Sequence, residues 1–403
     1  MNSLNIDPRG DLQKLVSAVQ DRAARTQDLI APTTAIHFGT LGTDGGAANS
    51  RTPQLIKKGE KRDAAPTGNR SALFLSATGE ATRICDINDV AFGQIAAYCG
   101  IDVRLARRLQ QSYPATFDHL INTVLETEAS PRMLRTLEHG ELGERANGST
   151  HVLRAFVSDS FKTFDDIDLL TSALPPLMDS DAEWRVVSGQ LTDRRLYLRL
   201  RSAVQVAEPA IGDHMANGVG ISNSEVGHGS VSVFQMVYTL ACLNGMRTER
   251  QSRSSHVTSA RAADGEYQLL SAEAKDADNR ALALKLRDLV TAYADRESFD
   301  AAIEAMREAH KMTTSAPAQA LAEATVKLLG RPNSDASRVL DGLMQTAGQS
   351  GYAGRPISKA TLVNAVTAVA NRADADDADE WHSAGGRILA LPTGQWSTLA
   401  HAA

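Results

Sequence analysis

Two basic clusters carry the clearest chemistry in this chain. Arg194, Arg195, Arg199 and Arg201 lie on or beside one stretch, RRLYLRLRSAVQV. Alternation there puts Leu196, Leu198 and Leu200 on one face of a strand and Tyr197, Arg199 and Arg201 on the other. Downstream, MRTERQSRSSHVTSAR holds Arg247, Arg250, Arg253, His256 and Arg261, with only Glu249 opposing them. Guanidinium groups so placed can follow a sugar-phosphate backbone, and a tyrosine ring can offer a base a stacking face. The predicted nucleic-acid-binding set is therefore Tyr197, Arg199, Arg201, Arg247, Arg250, Arg253, His256 and Arg261. In it the arginines contact phosphate, Tyr197 stacks, and His256 orients the loop or bonds a phosphate. A solvated strand face followed by a surface loop with scattered ion pairs accounts for the same composition.

A second pattern is FGQIAAYCGIDVRLARRLQQ, residues 92–111. Ile95, Ala96, Gly100, Ile101, Ala106 and Leu109 sit at the offsets of a helix-turn-helix, and Arg104, Arg107 and Arg108 supply charge. Any two-helix hairpin with a glycine turn satisfies the same offsets. A third candidate is DHMANGVGISNSEVGHGS, where Asp213, His214, Glu225 and His228 are possible divalent-metal ligands. Their spacing matches no facial triad or zinc motif. The glycines do not continue as GxGxxG, so turn chemistry between strands explains them. There is no nucleophile elbow, kinase signature, zincin pair or EF-hand loop. The sequence gives an enzyme little positive support, and no cofactor or metal is expected.

These residues need a scaffold. The chain has 403 residues, 42% hydrophobic and 22% charged, enough for one large or two medium cores. No uninterrupted apolar run of about 18 residues occurs, and the N-terminus lacks the order of a secretory signal. Cys85, Cys99 and Cys242 are odd in number and widely spaced, which predicts free thiols in a reducing cytoplasm. The formal net charge is −6. That balance counts against indiscriminate coating of duplex DNA but leaves room for a local basic groove, because phosphate contact depends on where charge is placed.

Periodicity predicts an N-terminal helix over 10–29, then a Gly-, Pro- and Lys-rich loop over 39–69. A hairpin (SALFLS, ATRICDI) and three helices over about 88–127 follow. Strands are predicted at VLRAFVS, EWRVVSGQ, RRLYLRLRSAVQV, GVGISNSE and SVSVFQMVYTLACL, with a helix capped near Asp165 or Asp166 after the first of them. From 271 onward the pattern is helical. One long helix runs on to Lys311, shorter ones follow at 316–329, 334–347 and 358–371, and the Asp/Ala run after Arg372 reads as a solvated connection. The expected fold is α+β, an antiparallel β-meander packed with helices and a helical C-terminal region. The expected segments are 1–70 (N-terminal helix and mobile loop), 71–270 (α+β core with the sheet) and 271–403 (helices on that core).

VLRAFVSDSFKTFDDIDLLTSAL resembles a block of the phage/plasmid-like protein family of unknown function. ISNSEVGHGSVSVFQMVYTLACLNGM is similar to that family's next block, with Ser222, Asn223, Ser224, Glu225 and Gly227 matching its turn and Cys242 and Asn244 its strand end. Arg253, His256 and the C-terminal LVNAVTAVANRADADD extend the likeness, which spans most of residues 10–395. The family has no settled activity. Its pattern and mobile-element setting are similar in kind to single-strand annealing recombinases, an analogy at the level of fold. The resemblance implies a homo-oligomer that binds single-stranded DNA in recombination or replication, with no membrane association. Multivalent contact would offset the acidic overall charge. Metal-dependent phosphodiester chemistry and a structural or regulatory partner-binding role are the alternatives.

Overall fold

The computed structural model describes residues 4–6, 12–41, 70–75, 83–139, 149–241, 244–248, 271–349 and 352–401. Within them the chain is α+β, with two six-stranded sheets and a helical C-terminal region. The strand RRLYLRLRSAVQV forms as its alternation requires. It is β9 (Leu196–Ala210), paired antiparallel with β8 (Trp184–Leu191) and β10 (Asp213–Asn223). β11 (Ser232–Thr239) and β12 (Asn244–Arg247) complete the meander, and β1 (Leu4–Ile6) adds an edge beside β8. Leu196, Leu198, Leu200, Val219, Ile221 and Val233 pack on α1 (Leu12–Arg25), α5 (Asp166–Met178) and α6 (Ala272–Ala294). Val237 and Met246 of the same sheet join the core of the C-terminal helices.

The second sheet joins the expected hairpin and the VLRAFVS strand to three strands that were not expected. Its order is β2 (Thr26–Pro32), β6 (Pro131–Glu138), β7 (His151–Ser158), β5 (Arg83–Ile87), β4 (Arg70–Leu75) and β3 (Ile36–Leu41), antiparallel except for β5 with β7. The predicted first helix thus stops at Arg25, and TQDLIAP pairs with β6 as strand instead. The expected boundary at residue 70 falls inside this sheet, because β3 pairs with β4. One face is covered by α2 (Asp89–Tyr98), α3 (Val103–Ser112) and α4 (Pro114–Thr127). Asn88 caps α2 by accepting the Ala91 N–H at 2.9 Å, and Asp102 caps α3 through the Arg104 N–H at 2.9 Å.

The C-terminal helices are α7 (Arg296–Lys311), α8 (Ala318–Leu328), α9 (Ala336–Ala347), α10 (Lys359–Ala370), α11 (Ala375–Leu389) and α12 (Thr393–His401). A two-strand pair, β13 (Thr313–Thr314) and β14 (Ile357–Ser358), lies among them. The long helix expected to reach Lys311 breaks at Asp295, whose backbone is extended. The Asp/Ala run is not a solvated connection. Asp374 caps α11, and the acids that follow are held by arginines: Asp377 by Arg331 and Arg338, Asp379 by Arg199. Their charge sits where the helix dipole favours it. Among the described residues no helix is long and apolar enough to cross a membrane.

Candidate nucleic-acid interface

Strand register lays the basic residues out in rows. Arg185 stands opposite Arg201, Arg201 opposite Gly218, Gly218 opposite Met236, and Met236 opposite Arg247. Directly paired residues share a face, so one row crosses five strands, about 19 Å at roughly 4.8 Å per strand. The neighbouring row is Ser188, Arg199, Gly220 and Phe234. Gly218 and Gly220 keep β10 bare there. A Cβ on Gly220 would stand 2.1 Å from Phe234 Cε2, and one on Gly218 2.4 Å from Tyr238 Cε2. The Arg247 guanidinium lies over the Phe234 ring at 4.2 Å from its centroid.

The predicted set divides on this face. Tyr197 is only 2% exposed, and its hydroxyl donates to Asp376. Burial and that carboxylate push its phenol well above the usual tyrosine range. No open ring face remains for a base, so the stacking role is withdrawn. Arg199 is buried and donates to Asp379 at 3.1 Å, which also stands 3.6 Å from Arg247. Arg199 is therefore a structural ion pair under the first turns of α11, not an open phosphate contact. Arg201 is half-buried and Arg185, which the sequence reading missed, is exposed. Neither makes an ion pair among the described residues. Arg250, Arg253, His256 and Arg261 lie outside the described residues.

The Asn-Ser-Glu turn after β10 has a different task. Asn223 donates to the Phe164 carbonyl at 2.8 Å and to Asp166 at 3.0 Å. Ser224 donates to the Arg194 carbonyl, and Gly227 supplies a φ of 80°. Glu225 pairs with Arg154 of β7 at 2.7 Å and accepts the Asp166 N–H at 2.9 Å. Arg135 of β6 donates to the Glu225 carbonyl and pairs with Asp28 and Asp165. The turn thus pegs the end of one sheet into the other. Burial alone would raise the Glu225 carboxyl, but Arg154, the Asp166 N–H and Arg22 hold it below the usual range. Burial and Glu225 push Asp166 well above it.

Asp213 opens β10 and Asn223 ends it, about 33 Å apart at roughly 3.3 Å per residue, with Glu225 in the turn beyond. Asp213 is bound instead by His310 at 2.9 Å and Tyr352 at 2.7 Å. The structure does not bring Asp213, Glu225 and His228 together. Among the described residues no group of three His, Cys, Asp or Glu is placed to hold a metal ion. The predicted phosphodiester site therefore has no shared metal position in those three residues.

No family model, curated protein or solved structure matches this chain.

α11 also closes the open edge of β12, where the buried His382 donates from Nδ1 to the Gly245 carbonyl. Burial, reinforced by Arg199, pushes His382 down to about 3 from an ordinary 6.5. Between those values the unfolded chain binds a proton that the folded chain refuses, so stability is lost as pH falls below 6.5. From pH 7 to pH 5 this one residue is expected to cost about 2 kcal/mol. His382→Phe should remove that part of the acid sensitivity, read as urea midpoints at the two pH values. An unchanged difference between pH 7 and pH 5 would rule it out.

Proposed function

We propose that the chain is a cytoplasmic nucleic-acid-binding protein of a phage or plasmid-like element that holds single-stranded DNA during recombination or replication. It belongs, on this reading, to the family that its Asn-Ser-Glu turn resembles. The observation that carries the reading is the Arg185–Arg201 pair. Two like charges directly opposite each other on adjacent strands destabilise a sheet unless something anionic offsets them. Here no carboxylate does so among the described residues. A phosphate backbone supplies the missing charge along a row that extends toward Arg247, after which Arg250, Arg253, His256 and Arg261 continue the basic composition in sequence. Assembly into a homo-oligomer would align several such rows and multiply a weak contact.

The test is anisotropy of a labelled single strand and a matched duplex across a salt series. The single strand should bind more tightly, with affinity falling steeply as salt rises. Arg185→Ala with Arg201→Ala should lower the log–log salt slope by about 1.4, at roughly 0.7 per phosphate contact. Absence of binding at low salt, or an unchanged slope in the double variant, would sink the proposal.

A further inference from the structure

The helix pair over residues 89–112 is not used by that reading. α2 and α3 are joined by only Cys99, Gly100, Ile101 and Asp102, and Gly100 takes the left-handed φ of 68° that a sharp change of direction requires. Ile95, Ala96 and Ala106 are buried at the crossing, and Ile101 and Leu109 pack on the same core as Phe117 and Ile121 of α4. Arg107 locks the pair by bonding Asp89 and lying 3.8 Å over the Phe92 ring. α3 is thereby held on its inner side by α2 and α4.

Its outer side is open. Arg104, Leu105, Arg108 and Gln111 are exposed, and Val103 is 42% exposed at the start of the helix. Arg104, Arg108 and Gln111 recur at four- and three-residue spacing, so they form one stripe. Neither Arg104 nor Arg108 has an ion pair among the described residues. The nearest acids in sequence are already engaged, since Asp102 accepts the Arg104 and Leu105 N–H groups and Asp89 pairs with Arg107. The face therefore carries two arginines without ion pairs among the described residues, with Val103 and Leu105 partly exposed beside them.

We infer that α3 is a recognition helix that enters the major groove of duplex DNA, giving the chain a sequence-selective duplex site separate from the row on the other sheet. Arg104 and Arg108 have the fork of donors that matches guanine O6 and N7, Gln111 suits adenine, and Leu105 or Val103 can meet a thymine methyl. The occupant is a duplex because a helix is the shape that the major groove admits, whereas a lone strand has no groove to read.

The experiment is selection of a random duplex library by the purified full-length chain, followed by affinity measurement on the enriched duplex. A short enriched motif containing guanine is expected. Arg104→Ala with Arg108→Ala should weaken binding of that duplex by about a hundredfold or more, at roughly ten- to a hundredfold for each paired contact. Single-strand binding and the thermal midpoint should stay unchanged. Arg185→Ala with Arg201→Ala should show the converse, weakened single-strand binding with the motif still selected, so each site can fail without the other. No enriched motif, or full affinity for it in the α3 variant, would overturn the inference.

Discussion

Glu225→Gln is expected to remove about 3–5 kcal/mol of folding stability, the range for stripping one partner from a buried ion pair. The substitution keeps the shape and still lets the side-chain oxygen accept the Asp166 N–H. What it removes is the charge opposite Arg154, a side chain only 2% exposed, which would be left desolvated without its counterion. Arg22 and Arg135 stand close enough to add unfavourable potential. Domains of ordinary stability hold about 5–15 kcal/mol in all, so the loss would be a large fraction of the total. Urea unfolding should show a lower midpoint with little change in slope. Arg154→Met combined with Glu225→Gln should cost less than the two single variants added together, because the orphaned charge disappears with its partner. A Glu225→Gln variant within 1 kcal/mol of the parent would mean that the pair is not the lock described.

This effect also separates two meanings of the same residues. Two stretches far apart in sequence meet in space: Arg154, Asp165 and Asp166 come from one, Asn223, Ser224 and Glu225 from the next. At the other end of β10 and β11, Thr239 donates to Asn364 at 2.7 Å, and Asn244 donates to the Asn364 carbonyl at 3.3 Å. Both meeting points are buried and filled by hydrogen bonds. They hold the meander in place at its two ends, with Arg185 and Arg201 on the sheet between them.

Where sequence pattern was local, it was legible. The alternation of β9 and the Gly100 turn each depend on residues near in sequence, and each forms as expected. The hairpin and the VLRAFVS strand of the second sheet were legible, but β2, β3 and β6 were not, because they pair with segments well removed in sequence. No single window shows that TQDLIAP will pair with PRMLRTLE. Arg185 was missed for a sharper reason. The hairpin starts with Leu191 opposite Leu196, so simple counting would place Arg185 opposite Ser202, on the leucine face. A register shift between Val186 and Ser188 moves it opposite Arg201 instead. One extra residue in a strand exchanges the faces of everything beyond it. Tyr197 and Arg199 were placed on the correct face, but what covers them there comes from α11, about 180 residues away. The acids of that helix looked solvated only because their arginine partners are remote in sequence.

Gly342→Ala is the second large expected effect, and its sign is set by packing against propensity. Inside an exposed helix, replacing glycine by alanine would stabilise by about 1 kcal/mol. Gly342 lies in α9, buried where that helix crosses α10. An added Cβ would stand 2.2 Å from the Ala365 carbonyl oxygen and 2.9 Å from its carbon. Those atoms belong to a helix backbone, not to the end of a flexible side chain, so the helices must separate to admit the methyl. Separation would open the contacts of Val339 and Leu343 with Leu362, Val363 and Val366, all in one core. Overpacking of this kind typically costs about 1–3 kcal/mol and more where backbone has to move, which exceeds the gain in propensity. The variant should therefore unfold at a lower urea concentration, by an amount corresponding to about 3 kcal/mol. An equal change at an exposed helical glycine, Gly394 in α12, meets open space and should be neutral or slightly stabilising. Equal midpoints for the two variants would show that α9 and α10 do not cross as closely as this, and with it that the C-terminal core is looser than its packing implies.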